Sequence, residues 1–204
     1  MKIIKLILIL LILTLIFSSC SVILSKMYGI KMIKQFNEQN YLSFISKIRE
    51  EIDFSDIVSD SIQYTNVMNI VKNVKYKQYF GQPVQILFFE KNKIKSFHVN
   101  CSAKGKLTNL NWNTEDRFLT FPPKSAINID SLYIELEDYN KIYKGINLNS
   151  NKNYTVIIFW TFLLEKISYS AIQTVIENIN NFDKLYDTNI YLINTDKYFA
   201  SVNQ

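Results

Sequence analysis

Two apolar segments near the C-terminus, separated by an amphipathic one, constrain the fold more than any other feature. Residues 154–160 and 189–195 are apolar runs of strand length, and residues 165–185 carry apolar side chains at helical spacing. A strand, a helix and a second strand with short joins predict a βαβ unit, whose strands run parallel with a right-handed crossover. The sequence therefore predicts the α/β class, with an α+β arrangement as the alternative. The helix positions expected to face the sheet are Ala171, Ile172, Val175, Ile176, Ile179 and Phe182.

The chain before this unit predicts further helices and one β-hairpin. Helical assignments follow from apolar spacing, and the hairpin follows from two apolar runs joined by a polar turn. In the returning strand of the hairpin, Phe97, Val99 and Cys101 are expected to share one face, and His98 to lie on the other. The predicted elements are helices over 30–48 (with a break near 37–40), 64–79 and 129–143, a loop or short strand over 53–60, and hairpin strands over 84–89 and 94–101.

The N-terminus predicts export from the cytoplasm. Lys2 and Lys5 precede an apolar run over 6–17, and Ser18-Ser19-Cys20 follows it. A positive start, a short apolar segment and small residues before a cleavage site are typical of a secretory signal. Residues 16–20 resemble the lipobox of bacterial lipoproteins, which implies cleavage before Cys20 and attachment of lipid, palmitate included, to this residue.

An uncleaved anchor is the alternative interpretation of the same segment. The apolar stretch over 6–24 is about long enough to cross a bilayer as one helix. Both interpretations place the remaining chain outside the cytoplasm. We expect residues 1–19 to be the signal peptide and 20–29 to be a lipidated tether. The expected location is the cell envelope, facing the periplasm, with the outer membrane favoured by Ser21.

Composition limits the chemistry that the chain can perform. The 204 residues suit a single domain, and they include two cysteines and one histidine. Such a set cannot build a multi-histidine or four-thiolate metal site, so no metal and no other cofactor are expected. A formal charge of +5, with scattered lysines, gives no indication of nucleic-acid binding. If Cys20 carries lipid, Cys101 remains the only thiol and an intramolecular disulfide is impossible.

The C-terminal unit resembles the centre of a thioredoxin-like domain. Residues 154–160 end in Phe-Trp, a long helix follows, and residues 189–196 end in Asn-x-Asp. In that family a Cys-x-x-Cys motif opens the helix, and Leu164 and Ile167 stand at the corresponding positions here. Neither side chain can perform thiol–disulfide exchange, so the resemblance implies a redox-inactive domain. The family's later hairpin does not follow the unit, and we expect the upstream hairpin to supply those strands.

The upstream residues extend the resemblance to a class of lipoproteins. The segments concerned are 82–89, 97–101, 109–113 and 121–123. They are similar to Bacteroidota-type lipoproteins that carry a thioredoxin-like C-terminal half. We therefore interpret residues 30–204 as one domain, with a helical extension over 30–128 and the βαβ half over 129–204. N-terminal helices and the hairpin would join the βαβ unit in one mixed sheet.

Several side chains are candidates for function, each with a structural alternative. Trp112, Asn111, Asn113 and Phe121 could form an aromatic and amide platform in a long loop, although large aromatic side chains more often fill a core. His98 and Cys101 face opposite sides of a strand, which argues against a shared catalytic or metal role. Cys101 is expected to be a small buried side chain. Carboxylates at 135, 137, 138 and 165 are expected to be solvated surface charges.

These observations predict a non-enzymatic, lipid-anchored envelope protein. Its redox-inactive thioredoxin-like domain would act as a binding or structural module, with the membrane and an envelope protein as partners. The alternative is a hydrolase-like or other enzyme that uses the loop over 102–124 with His98. That hypothesis requires a concave pocket in which His98 meets an acidic or hydroxyl partner. A remnant of an oxidoreductase that has kept its partners is a third possibility.

Overall fold

The fold is organised around a mixed five-stranded sheet. The structure is a computed structural model and describes residues 30–106, 109–130, 132–146 and 151–202. The strand order across the sheet is β1-β7-β6-β2-β3, and a separate two-stranded ribbon is formed by β4 and β5. The strands are β1 (Ser55–Val58), β2 (Gln85–Glu90), β3 (Lys93–Val99), β4 (Lys104–Lys106), β5 (Asn109–Asn111), β6 (Tyr154–Trp160) and β7 (Thr188–Asn194).

Helices cover both faces of this sheet, which places the protein in the α/β class. Short 3₁₀ turns over 100–102, 114–119, 162–164 and 185–187 join the regular elements. The helices are α1 (Glu38–Arg49), α2 (Ser61–Asn69), α3 (Val74–Phe80), α4 (Leu136–Ile142), α5 (Glu165–Asn181) and α6 (Asp196–Val202).

The predicted βαβ unit is confirmed. Strands β6 and β7 pair in parallel, with Tyr154 opposite Thr188 and Trp160 opposite Asn194, and α5 connects them. All the helix positions expected to face the sheet are buried except Phe182, which is 37% exposed. Phe182 follows the last residue of α5, so the helical spacing that predicted its burial no longer applies.

The upstream hairpin completes the sheet, as expected. Strand β2 pairs antiparallel with β3 on one side and with β6 on the other, where Gln85 lies opposite Phe159. Strand β1 extends the opposite edge by pairing in parallel with β7. Residues from distant parts of the chain therefore share one sheet, and its central strand β6 has neighbours on both sides.

Each face of the sheet has its own apolar core. Successive residues of a strand point to opposite faces, so Ile158 contributes to one core and Ile157 to the other. The first core contains α1, α5 and the side chains of Trp112 and Phe118. The second core contains α2, α3, α4 and α6. Burial on both faces explains why β2 and β6 are continuous apolar runs in the sequence.

Three of the predicted helix boundaries were wrong, and polar caps explain the differences. The helix predicted over 30–48 begins only at Glu38, because the Asn37 side chain accepts a hydrogen bond from the Asn40 N–H. The helix predicted over 64–79 is two helices, since Asn73 caps α3 by accepting from the Lys75 N–H. The helix predicted over 129–143 is confined to α4.

Residues before α4 are extended rather than helical. Glu135 forms an isolated antiparallel bridge with Lys93 and is also the N-cap of α4. Asp130 therefore does not cap this helix, and Ser131 lies outside the described residues. The predicted signal peptide over 1–19 and Cys20 also lie outside them. Within 30–202, no described helix has both the length and the apolar character that crossing a bilayer requires.

Burial of the central strand predicts that the same substitution, isoleucine to alanine, has very different effects on stability at two positions. Ile158 of β6 is 1% exposed and Ile62 of α2 is 74% exposed. Ile158→Ala should lower the free energy of unfolding by about 2–5 kcal/mol, because it removes buried methyl groups and leaves a cavity. Ile62→Ala should change it by no more than about 0.5 kcal/mol. Urea unfolding of both variants measures the difference, and equal costs would contradict the assigned burial of β6.

Candidate functional site

A cavity of about 580 Å³ opens where β6 ends and α5 begins. Helix α1, the turn after β6, the first turns of α5 and the segment before α1 form its walls. Three of the nine lining residues are aromatic and the other six are polar or charged, and the volume lies in the range of small-molecule binding sites. The lining residues are Lys31, Asn40, Ser43, Phe44, Lys47, Phe162, Glu165, Lys166 and Tyr169.

A buried carboxylate fixes the turn that leads from β6 into this cavity. Asp196 is 2% exposed and accepts hydrogen bonds from the Thr161 hydroxyl at 2.6 Å and from the Phe162 N–H at 2.9 Å. The Asn194 amide donates to its other oxygen at 3.1 Å. Burial raises the pKa of the Asp196 carboxyl, whereas these three donors favour its charged form.

A second buried hydroxyl ties the same turn to α5. The Thr161 N–H donates to the Ser168 oxygen at 3.1 Å, and the Ser168 hydroxyl donates to the Thr161 carbonyl at 2.9 Å. Both side chains are fully buried. Because the turn is held from the start of α6 and from α5, the Phe162 side chain that follows it has a defined position on the cavity wall.

Aromatic rings form one wall of the cavity. Phe44 stacks on Trp160, with ring centroids 4.3 Å apart and an angle of 18° between the ring planes. Phe162 meets the same indole edge to face at 5.4 Å. Tyr169 stands 6.4 Å from Phe44 in a similar edge arrangement. Trp160 itself is fully buried behind these rings, so a ligand would contact Phe44, Phe162 and Tyr169.

Positive charge predominates among the charged groups that line the cavity. Lys31, Lys47 and Lys166 line it together with a single carboxylate, that of Glu165. Lys31 forms an ion pair with Glu165, and the Lys47 ammonium lies 4.3 Å from the centroid of the Tyr169 ring. The 3₁₀ turn over 162–164 leads directly into α5, and its N–H groups are already paired: that of Phe162 donates to Asp196, and that of Leu163 to the Thr161 hydroxyl oxygen. The site is suited to an anionic group attached to an apolar one.

The two positions that the sequence resemblance aligned with a redox motif lie at this helix start. Leu164 is the N-cap residue of α5 and Ile167 lies in its first turn. They are 8% and 2% exposed, and both belong to the core cluster that contains Trp160. These side chains therefore pack inward, and the cavity surface around them is formed by Phe162, Glu165 and Lys166 instead.

The predicted aromatic platform does not include Trp112. Its side chain is 2% exposed and lies in the core under the loop. Asn113 holds the loop by accepting a hydrogen bond from the Phe118 N–H at 2.8 Å. Phe121 packs edge-on against Tyr154 at 4.9 Å, and only Asn111 has an exposed side chain. The structural alternative, in which aromatic residues of the loop fill the core, accounts for these positions.

His98 is buried and does not line the cavity. It is 1% exposed, its Nε2 lies 2.7 Å from the Ser96 hydroxyl, and its ring is 4.7 Å from that of Phe118. Burial, assisted by the Arg117 charge, lowers the pKa of His98 to about 3. Ser96 is fully buried as well, so this serine–histidine pair lacks the accessible pocket that the enzyme hypothesis requires.

The prediction that Cys101 is buried was wrong. The strand ends at Val99, and Cys101 lies exposed in the 3₁₀ turn that follows, where strand alternation no longer applies. Partial burial nevertheless raises the pKa of its thiol, which leaves it a weak nucleophile. In the described parts of the chain, no three histidine, cysteine, aspartate or glutamate side chains are grouped as metal ligands would be.

The carboxylates near α4 have local structural partners. Glu135 accepts a hydrogen bond from the Asn92 amide at 2.8 Å, and Asp138 accepts one from the Glu135 N–H at 3.0 Å. Glu165 differs from these carboxylates in its location: it lines the cavity and forms an ion pair there with Lys31. Sequence reasoning missed Lys31, Lys47 and Tyr169, which come from separate segments and carry no recognisable motif.

The buried imidazole predicts an acid-sensitive component of stability. The pKa of His98 is about 3 when folded and about 6.5 when unfolded, so the unfolded chain takes up the proton first as the pH falls. Stability from this group is complete above about pH 6.5 and decreases below it, by up to about 1.4 kcal/mol per pH unit. His98→Gln should remove this component, which urea unfolding at a series of pH values would show as a shallower slope. Parallel slopes for the two proteins would contradict the prediction.

Comparisons with protein-family models, with curated proteins and with solved structures give no match for this chain. The chemistry of the cavity must therefore be inferred from its own lining. Three ammonium groups, one carboxylate and three aromatic rings at the start of α5 are the features that any proposed ligand has to fit.

Proposed function

We propose that the chain is a lipid-anchored cell-envelope protein whose thioredoxin-like domain is redox-inactive and serves as a binding module. Its binding site is the cavity at the end of β6. The observation that carries this proposal is an aromatic and cationic cavity at the helix start where the resemblance would place a thiol pair. Leu164 and Ile167 are buried there, whereas Phe162, Lys166 and Tyr169 line the cavity.

The sheet supports the thioredoxin-like interpretation. In the resembled family a hairpin follows the βαβ unit, and here the hairpin β2–β3 precedes it in the chain. Its strand β2 nevertheless pairs antiparallel with β6, beside the parallel pair of β6 and β7. A different order of connection thus leads to a hairpin at the edge of the βαβ unit.

The chemistry of the lining favours binding over catalysis. Among the described residues that form the cavity wall there is no histidine, cysteine or aspartate, and the Glu165 carboxylate is paired with Lys31. A nucleophile next to a general base is the usual arrangement for covalent catalysis. The aromatic wall and the lysines instead supply a surface on which an apolar group and an anion can rest.

The position of the chain entry supports a membrane-proximal role. Residue 30 is the first described residue, and the Lys31 N–H donates to the Leu163 carbonyl at 3.0 Å beside the cavity. A lipid on Cys20 would be separated from this contact only by the tether. The proposed partners are the membrane, through that lipid, and an envelope protein or membrane component that reaches the cavity.

The anchor is tested by metabolic labelling of growing cells with radioactive palmitate. Wild-type chain should carry the label, and Cys20→Ala should abolish it, because the thiol that accepts lipid is lost. Cys101→Ala is the matched control and should remain labelled, since Cys101 lies in the folded domain. Label that survives in Cys20→Ala would exclude lipidation at this residue.

The binding role is tested by photocrosslinking in cells that produce the anchored protein. A photoreactive diazirine amino acid in place of Ser43 should form an adduct, because Ser43 lines the cavity. The same group in place of Ser46, an exposed serine of α1 outside the lining, is the matched control. The Ser43 adduct should disappear in a Lys47→Gln, Lys166→Gln background. Equal adducts from both positions, or none from Ser43, would refute a binding cavity.

A further inference from the structure

The lysines of the cavity are arranged for an external anion. Lys31 is paired with Glu165, whereas Lys47 and Lys166 form no ion pair within the described residues. Both are exposed at the cavity, and the Lys47 ammonium is held over the Tyr169 ring. Two positive charges beyond the internal pair therefore line a space that aromatic rings also line.

We infer that this cavity binds the phosphate group of an anionic phospholipid in the membrane to which the chain is anchored, an assignment that rests on the proposed function. Lysine ammonium groups bind phosphate as point charges, without the fixed fork geometry of arginine. The proposed contacts to phosphate come from Lys47 and Lys166, which both line the cavity.

The aromatic wall suits the remainder of such a lipid. Phe44, Phe162 and Tyr169 present ring faces and edges on which a glycerol backbone or the first part of an acyl chain can pack. A free inorganic phosphate would leave this apolar surface uncovered. The combination of charge and apolar wall therefore favours a phosphate that carries an apolar substituent.

The tether brings the cavity within reach of a bilayer. From residue 20 to residue 30 an extended chain spans at most about 35 Å, and residue 30 enters the domain beside the cavity. Met32, next to Lys31, has a 77% exposed side chain. An apolar side chain next to lysines is typical of surfaces that contact lipid headgroups. Lipid phosphate is thus the anion present at the highest local concentration.

The proposal is tested with full-length lipidated protein in nanodiscs, in which phosphatidylglycerol progressively replaces phosphatidylcholine. Tryptophan emission is the measurement, because Trp160 contacts two rings of the cavity wall. Emission should change with the phosphatidylglycerol content and reach saturation. The Lys47→Gln, Lys166→Gln variant should need about tenfold more phosphatidylglycerol for the same change.

Two controls separate a specific site from general attraction to negative membranes. Lys77→Gln removes an exposed lysine of α3 outside the cavity lining and should leave the titration unchanged. Inorganic phosphate or glycerol 3-phosphate, added to discs of phosphatidylcholine alone, should produce a much weaker response. A response equal to that of phosphatidylglycerol would overturn the lipid assignment in favour of a free phosphate.

Two other outcomes of the nanodisc titration bear on the lipid assignment. No emission change with phosphatidylglycerol, or an equal loss of response in Lys77→Gln and in the double variant, would overturn the assignment. The proposed function is tested by a different experiment, the adduct formed from the Ser43 position, so its failure can be told apart from failure of the lipid assignment. An adduct to a protein without any response to phosphatidylglycerol would leave a binding module whose ligand is not a phospholipid.

Discussion

Burial of β6 on both faces and along both edges is the constraint on which the structure depends. Its neighbours β7 and β2 satisfy its backbone groups, while Ile157 and Ile158 anchor the two cores that hold the helices. In the chain, β2 lies before β6 and β7 lies after it. The hairpin and the βαβ unit therefore cannot be separated without exposing the most apolar strand of the protein.

The cavity exists because β6 ends in a polar turn instead of continuing. Thr161, Ser168 and Asp196 exchange hydrogen bonds inside the protein, so the chain reverses at a fixed point and α5 starts at a fixed angle. A buried carboxylate is costly unless donors compensate it, and Asp196 has three. The stability of the sheet and the shape of the cavity thus depend on the same few polar groups.

Prediction from sequence succeeded where signals were local and failed where distant segments meet. Periodicity predicted the βαβ unit and the hairpin, because each is set by neighbouring residues. It did not predict that Asn73 splits one helix into two or that Cys101 leaves the strand, since both depend on single polar caps and turns. The candidate site was the hardest feature to predict from the sequence, because Lys31 and Lys47 come close to the start of α5 only through tertiary packing. Burial of Trp112 was foreseen as the structural alternative, because large aromatic side chains favour cores.

A helix start without a thiol pair need not be an inert surface. A reactive thiolate is an anion, and proteins stabilise it with helix N-termini and nearby cationic side chains. The same environment stabilises any other anion placed there. In this protein lysines lie around the start of α5, while Leu164 and Ile167, at the positions where the resemblance would place the thiols, pack into the core. On the proposed interpretation, a place built to stabilise negative charge has kept that property and applies it to a ligand instead of to its own sulfur.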